Sequence, residues 1–231
     1  MSLIINNKPV DDTSNVISLL HTPLSWVDGD HGTDVVEKPT QIVGHWTAGP
    51  EHQDGSKVVK NMKSRKSRHT GKPLRVGIHF VIAAPVAGHC MAPIYQSADP
   101  GLTRCVHVGS RVVNRQSIGI EVVNAADPSV PWANSKDRGV VKTTQLGKVR
   151  EWTAFYHEQL DAFVWLCDVL CMELGIEKNT FLGDKRLDTK SLRSYNGVLE
   201  HWHVGGTNKL DAGGMLVQSL RGEGYTEVFD V

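Results

Sequence analysis

The sequence predicts a single-domain α/β protein, and three observations lead to this fold class. Apolar runs with the composition of buried strands occur at residues 41–49, 76–84 and 117–124. A long amphipathic helix is indicated at 156–174. No linker of any length, internal repeat or low-complexity segment interrupts the chain. The 231 residues are enough to bury a sizeable core.

Composition narrows the class of protein and its partners. A hydrophobic content of 40% and a charged content of 22% are typical of a soluble globular protein. The formal net charge is zero, so no overall field favours nucleic acid. No apolar run is long enough to span a bilayer, and the first twelve residues lack the apolar core of a signal peptide. We therefore expect no nucleic-acid partner, no membrane insertion, and synthesis in the cytoplasm.

The chain begins with a segment, residues 1–38, that is rich in Asn, Asp, Ser, Thr and Gly. We interpret it as an irregular entry segment or a small hairpin packed on the main domain, residues 39–231. The first strong strand signal, 41–49, carries His45 near its end, where a rigid strand could present a ligand. Trp46 follows and should point to the opposite face. The same order recurs at His201-Trp202, so both indoles are expected to pack behind a site.

Residues 55–75 form a basic stretch with eight cationic side chains and no acidic one. Its first part has apolar residues at helical spacing over about 56–66. Two interpretations stay open: a solvated helix face, or an electrostatic patch that attracts an anionic polymer. The basic residues are Lys57, Lys60, Lys63, Arg65, Lys66, Arg68, Lys72 and Arg75.

The strand pattern continues through three histidine- or carboxylate-bearing segments. Residues 76–84 carry His79, and short strands or strand ends are expected at 93–96 and at 105–108, which holds His107. In 117–124 the apolar residues alternate, which places Glu121 and Gly119 on the opposite face from the isoleucines. Gly119 would leave a gap beside Glu121 for a ligand. The alternative is that Glu121 faces water on a half-exposed sheet.

The last third of the chain is predicted to hold the long helix, a polar surface excursion at 178–196, and a short helix at 214–221. Cys167 and Cys171 lie one turn apart on the helix, where core thiols are expected rather than metal ligands. The four cysteines show no CxxC pattern, so reduced and mostly buried thiols are the default.

Residues 201–213 concentrate the most chemistry in the shortest stretch. His201 and Asp211 are ten positions apart, which fits neither helix nor strand periodicity. The glycines of this segment would let the backbone loop back and bring the two side chains together. Imidazole nitrogen and carboxylate oxygen are both zinc ligands, and a third protein ligand would complete a catalytic type of site with one open position.

Six segments, in order along residues 39–215, resemble the zinc-dependent N-acetylmuramoyl-L-alanine amidases, the family that includes peptidoglycan-recognition proteins. The resemblance implies zinc (Zn²⁺) on His45, His201 and Asp211, Glu121 as the acidic catalytic residue, and Lys209 as a second catalytic residue. It also implies a central mixed β-sheet flanked by helices. The segments are IVGHWTAG, IHFVI, CVHVGS, SIGIEVVN, EQLDAFVWLCDVL and HWHVGGTNKLDAG.

The resemblance is not complete. Glu200 stands where the family usually has Gly, His203 where it often has Asp, and Ala212 where Pro is common. His203 is an alternative third ligand, because His-x-His on a strand places both rings on one face. His79, His107 and His203 are otherwise expected to support the site or to contact substrate.

The function implied by the resemblance is hydrolysis of the amide between N-acetylmuramic acid and L-alanine of the stem peptide. The substrate would be peptidoglycan or a muropeptide. A lytic role, as a phage endolysin or a secreted antibacterial effector, would place the action at the cell wall. It would also involve a delivery system or an immunity protein. The alternatives are a cytosolic muropeptide-recycling amidase and a non-catalytic peptidoglycan-binding module.

Overall fold

The computed structural model of the chain describes residues 2–12, 15–26, 37–50, 53–67, 69–74, 76–133, 135–205 and 209–231. The strands are β1 Ser2–Ile5, β2 Lys8–Asp12, β3 Val16–Ser18, β4 Gln41–Trp46, β5 Phe80–Ile82, β6 Ile94–Gln96, β7 Ser117–Val122, β8 Val140–Gln145, β9 Lys148–Thr153, β10 Asn179–Phe181, β11 Gly197–Glu200 and β12 Thr226–Val228. The helices are α1 Gly55–Lys63, α2 Arg111–Gln116, α3 Ser135–Arg138, α4 His157–Leu174, α5 Thr189–Ser194, α6 His201–Val204 and α7 Met215–Ser219.

The core of the fold is an eight-stranded mixed sheet with the order β12-β10-β11-β4-β7-β5-β6-β3. Strand β4 lies at its centre and pairs in parallel with β11 on one side and with β7 on the other. The pairing of β5 with β6 is antiparallel, which makes the sheet mixed. The predicted α/β class with a central mixed sheet and flanking helices is confirmed.

Helix α4 covers one face of the sheet because its apolar side chains recur every three or four residues. Phe163, Leu166 and Leu170 are fully buried against Ile118 and Ile120 of β7 in the largest apolar cluster. The helix ends at Gly175, which adopts a left-handed conformation with φ of 65°. The helix predicted at 156–174 is therefore confirmed.

The first residues of the chain form a hairpin and then contribute a strand to the edge of the main sheet. Strands β1 and β2 pair with each other, while β3 pairs in parallel with β6. Two side chains tie the hairpin down: Gln96 accepts from Ile4 N, and the Asp99 carboxylate accepts from Asn6 N and Asn7 N. The boundary predicted at residue 38 stays a prediction.

Three predicted elements differ from the structure. The strand at 76–84 is limited to β5, because His79 turns its ring to the backbone of Gly119 and Thr103. Residues 105–108 form no strand, since Asn114 Oδ1 accepts from the His107 and Val108 amides. The polar excursion at 178–196 contains β10 and α5, whose spaced apolar residues Phe181, Leu192 and Tyr195 are buried.

Helix α1 occupies 55–63 of the predicted 56–66 and begins at Asp54, whose carboxylate accepts from Ser56 N and Lys57 N. Of the basic stretch, Arg68 and Arg75 lie outside the described residues. None of the four cysteines forms a disulfide, and Cys105, Cys167 and Cys171 are buried while Cys90 is exposed. No helix in the described part of the chain has both the length and the apolarity needed to cross a bilayer.

Candidate active site

The candidate site lies where the three central parallel strands end. His45 is the penultimate residue of β4, Glu121 is the penultimate residue of β7, and His201 follows β11 directly. Asp211 lies farther along the segment that begins at His201, in a turn before α7. Ligands of open α/β sheets bind outside the carboxyl ends of the strands, and all four side chains are at that edge.

His45, His201 and Asp211 form one compact group. His45 Nδ1 lies 3.3 Å from Asp211 Oδ2, and His201 Nδ1 lies 2.9 Å from the same oxygen. One ligand atom from each residue lies within 4.8 Å of the other two. His201 and Asp211, ten positions apart in the sequence, therefore meet at His45.

Burial and charge set the protonation of this group. Burial, together with the neighbouring His201, lowers the pKa of His45 to about 4, although Asp211 opposes the shift. Burial alone would raise the pKa of Asp211, but the hydrogen bonds and charges of His201 and His45 hold that pKa well below its usual range. At neutral pH the site therefore contains a neutral His45 imidazole and a carboxylate, which are the forms that bind metal.

These residues fit a zinc ion. Two imidazole nitrogens and one carboxylate oxygen are a known catalytic ligand set, and all three residues line the cavity described below. His203 does not join the group. Its Nδ1 accepts from Glu200 N at 3.0 Å, and its ring lies 5.0 Å from that of Phe181, so the geometry favours Asp211 as the third ligand.

His107 supports His45 from behind. His45 Nε2 lies 2.9 Å from His107 Nδ1, and His107 Nε2 lies 3.0 Å from Ser117 Oγ. The His107 ring and the Ile78 side chain fill the space that Gly119 leaves, since a Cβ there would clash with Ile78 Cδ1 and would lie 2.7 Å from His107 Cγ. The expected ligand gap beside Glu121 is thus wrong: the glycine makes room for these two side chains.

Glu121 faces the same side of the sheet as His45, because these two residues are register partners in the β4–β7 pair. Its side chain is buried. Burial, with a further contribution from Asp211, raises the pKa of Glu121 to about 8, while the cations Lys209 and Arg65 oppose the shift. The alternative in which Glu121 faces bulk water is therefore wrong.

A cavity of about 870 Å³ opens in front of this group. His45, His201, Asp211 and Glu121 lie in its wall, and Lys209 and Arg65 are exposed side chains that also line it. His107 contributes to the lining as well, whereas His79 and His203 do not. His79 is buried, with Nδ1 accepting from Gly119 N and Nε2 bonded to Thr103 O. His79 therefore packs inside the fold and does not reach the cavity.

The lining of the cavity is also aromatic. It contains Trp46, which is buried and lies 4.9 Å from the ring of Trp152, and also Trp132, which is 51% exposed. Trp202 is buried, as predicted, but Trp46 both packs and lines the cavity. Sequence reasoning missed Trp132 and Trp152. The available signal was the presence of two tryptophans in an otherwise polar stretch between β7 and α4.

Two residues outside the ligand group, Gln145 and Glu200, hold the segment that carries His201 and Asp211. Gln145 of the β8–β9 hairpin donates from Nε2 to Leu210 O at 3.1 Å. Glu200 is fully buried and accepts from the indole of Trp202 and from amides of α7 and the residue preceding it. Burial raises the pKa of Glu200 to about 7, and these donors oppose the shift. The role of Glu200 was not predicted.

One solved structure, that of AmpDH3, shares the architecture of this chain, and two further structures are less similar. AmpDH3 from Pseudomonas aeruginosa aligns with a TM-score of 0.51 and 20% identity over 86% of this chain and 65% of that chain. AmiD from E. coli, solved with anhydro-N-acetylmuramic acid-L-Ala-D-γ-Glu-L-Lys, has a TM-score of 0.39 and 18% identity over 64% and 48%. LysC from Clostridium intestinale has a TM-score of 0.41 and 13% identity over 84% and 87%.

The chain thus spans less than two thirds of the length of AmpDH3 and about half that of AmiD. No curated protein matches it at a significant level. A sequence family does match: the model described as N-acetylmuramoyl-L-alanine amidase covers residues 36–214, which include all five of the predicted ligand and catalytic positions. By this match, the chain belongs to the N-acetylmuramoyl-L-alanine amidase family.

Proposed function

We propose that this protein is a zinc-dependent peptidoglycan hydrolase that cleaves the amide between N-acetylmuramic acid and L-alanine. The observation that carries the proposal is the convergence of His45, His201 and Asp211 beside Glu121 in one cavity. Membership of the amidase family supports the choice of bond. A non-catalytic binding module would have no use for a buried carboxylate of raised pKa beside a complete ligand set.

The chemistry needs an acid–base group and a stabilised oxyanion. A zinc ion bound by His45, His201 and Asp211 would lower the pKa of water and polarise the scissile carbonyl. Glu121 takes up the proton of the attacking water and later delivers it to the leaving amine. Without a metal the pKa of Glu121 is about 8, and the charge of a bound zinc ion would lower it towards neutrality, where the same group can accept and then release a proton.

Lys209 is the candidate for stabilising the oxyanion. Its side chain is exposed at the cavity, and its charge acts on both His45 and Glu121. A cation held at this rim opposes the negative charge that develops on the carbonyl oxygen. Because Lys209 is not a ligand, its removal is expected to slow hydrolysis without changing the metal content.

The test is a metal and product analysis of the purified protein. We expect about one zinc per chain and release of L-alanyl peptides from a defined N-acetylmuramoyl-L-alanyl peptide. His45→Ala and Asp211→Ala should lose both zinc and hydrolysis, whereas Lys209→Met should keep zinc. Peptidoglycan binding without any hydrolysis by the zinc-loaded protein would instead support the binding module.

The substrate form we propose is the polymeric wall, which corresponds to a lytic role. The supporting observation is the basic face of residues 57–72, a stretch of which Arg65 lines the cavity and whose Lys57, Lys60, Lys66 and Lys72 are all exposed. Arg65 continues this face into the cavity itself. Lys63 is engaged elsewhere, since its Nζ donates to Pro23 O at 3.2 Å. Such a face attracts an anionic polymer over a larger area than a small muropeptide can occupy.

Ionic strength and charge-reversal variants distinguish activity on the polymer from activity on small fragments. Hydrolysis of whole sacculi should fall steeply with ionic strength, and hydrolysis of a small muropeptide should change less. Lys57→Glu with Lys60→Glu should reduce only the activity on sacculi. The matched control is Lys8→Glu with Lys190→Glu, which changes the net charge equally at exposed sites away from the cavity. Equal salt dependence on both substrates would favour the muropeptide-recycling role.

A further inference from the structure

A second buried carboxylate, Glu200, lies next to the ligand group without belonging to it. Glu200 is the last residue of β11 and immediately precedes His201. Its side chain has no exposed surface. The acid–base and ligand roles proposed above do not use it, yet a carboxylate is costly to bury unless its oxygens accept hydrogen bonds. The question is what this residue does beside the site.

All four of its partners are donors, and they come from both sides of the ligand-bearing segment. Oε2 accepts from Trp202 Nε1 at 2.9 Å and from the amide of Gly214. Oε1 accepts from Leu216 N at 2.8 Å and from Val217 N at 3.3 Å. One carboxylate therefore joins the end of β11 and the first turn after it to the start of α7.

The residues between these two anchors include two of the three ligands. His201 follows Glu200 directly, and Asp211 lies three residues before Gly214. The two ends of the segment also meet through the backbone, because Trp202 N donates to Asp211 O at 3.0 Å. Any shift of Gly214 relative to Glu200 would move Asp211 relative to His201, whose side chains are 2.9 Å apart.

We infer that Glu200 is a positioning residue for the metal site: by holding both ends of the 201–214 segment, it fixes Asp211 against His201 in the geometry that binds zinc. The inference rests on the zinc site of the proposed function. A ligand pair fixed before the ion arrives binds it more tightly, because less conformational freedom is lost on binding. Partners outside the ligand set that orient metal ligands typically contribute about 10- to 100-fold in affinity.

The test is zinc affinity in Glu200→Gln, measured on the metal-free full chain by competition with a chromophoric chelator. Glutamine has nearly the same shape, but its amide nitrogen cannot accept from donors. We expect zinc binding about 10- to 100-fold weaker, with the metal-free protein still folded by circular dichroism. Trp202→Phe removes only one of the four donors, so it should weaken zinc binding by a few-fold.

Asp99→Asn is the matched control. Asp99 is also a buried carboxylate that accepts from backbone amides, those of Asn6, Asn7 and Gly101, but it holds the amino-terminal hairpin. Asp99→Asn should lower the melting temperature and leave zinc affinity within about two-fold of wild type.

Three outcomes would overturn the inference. These are wild-type zinc affinity in Glu200→Gln, an equal loss of affinity in Asp99→Asn, or a wild-type protein that binds no zinc. If Glu200→Gln does not fold, unchanged affinity in Trp202→Phe overturns it instead. Failure of the proposed hydrolysis alone gives a different result: the wild-type protein then binds zinc but does not hydrolyse the muramoyl amide, and the affinity comparison still holds.

Discussion

The two faces of the central sheet differ most at the carboxyl ends of its middle strands. One face, under α4 and α7, is apolar except for Glu200: Ile42, Ile118 and Ile120 pack there against Phe163 and its neighbours. The other face, at the carboxyl ends of β4 and β7, buries His45, His107 and Glu121 among groups that hydrogen-bond or repel one another. Both faces belong to the same strands, since side chains alternate along each of them.

The difference separates stability from chemistry. Burying apolar surface contributes about 25 cal/mol per Å² to the stability of the fold, so the helix-covered face favours folding with every residue. Burying Glu121, whose pKa is raised, lowers the stability of the fold at neutral pH, because the charged form loses hydration. The buried polar residues at the carboxyl ends of these strands should therefore affect zinc binding and the rate of hydrolysis, and the apolar residues under α4 should affect stability alone.

The largest effect that tests this division is on the rate of hydrolysis. Glu121→Gln keeps the side-chain volume and removes the proton acceptor, so hydrolysis of the muramoyl amide should fall by about 10²- to 10⁴-fold. Zinc content should be unchanged, because Glu121 lies outside the ligand group. The measurements are the steady-state rate and the zinc stoichiometry of the same preparation. Retained hydrolysis would move the base elsewhere, and lost zinc would make Glu121 a ligand.

The same substitution should stabilise the metal-free protein at high pH. The pKa of Glu121 is raised from 4.5 to about 8 by burial and by Asp211, with Lys209 and Arg65 opposing. The native state then holds a proton that the unfolded chain releases, so wild-type stability falls as pH rises from 4.5 to 8. The free energy of unfolding of Glu121→Gln relative to wild type should rise over that range, by roughly 5 kcal/mol at most.

Chemical denaturation of both metal-free proteins at pH 5 and pH 8.5 measures this difference. Other groups that titrate in the range, such as His45, are present in both proteins and largely cancel in the comparison. A stability difference that does not depend on pH would show that Glu121 keeps an ordinary pKa in the folded protein, and its suitability for both proton transfers would then be lost.

On the apolar face the expected effect is on stability alone. Phe163 is fully buried between α4 and the strands, and Phe163→Ala should lower the free energy of unfolding by about 3–5 kcal/mol. The folded fraction should bind zinc as tightly as wild type. Phe181→Ala makes the same chemical change in a different apolar cluster, where Phe181 contacts His203. For Phe181→Ala we expect a loss of zinc affinity as well as a loss of stability. Calorimetry with and without zinc distinguishes the two variants.

The apolar face is also the part of the molecule that the sequence predicts well. The 3.6-residue repeat of α4 and the alternation in β7 depend on neighbours within the same element, so local pattern suffices. The strand at 179–181 escaped prediction because it is three residues long and flanked by polar residues, and only its pairing with β11 and β12 identifies it.

The buried polar residues are predicted less completely because their contacts join distant parts of the chain. The residue types of His45, His201 and Asp211 indicate ligands, and the resemblance to the amidases selects them. Nothing local indicates that His107 lies against His45, 62 residues away, or that Glu200 reaches Leu216 and Val217. Gly119 illustrates what local pattern leaves out: the alternation of side chains predicted which face of the sheet Gly119 lies on, but not that the His107 imidazole would occupy the space beside it.

The smallest effect concerns the contact between His45 and His107. If zinc takes His45 Nδ1, then His45 Nε2 carries the proton and donates to His107 Nδ1, which in turn requires His107 Nε2–H to donate to Ser117 Oγ. His107→Ala leaves the ligand without its acceptor and should weaken zinc binding by about 10- to 100-fold. Ser117→Ala removes only the outer partner, so a decrease of a few-fold is expected. Chelator competition measures both affinities. His107 and Ser117 orient His45 together only if the loss of zinc affinity is larger in His107→Ala than in Ser117→Ala. Unchanged affinity in His107→Ala would mean that packing against the sheet alone orients His45.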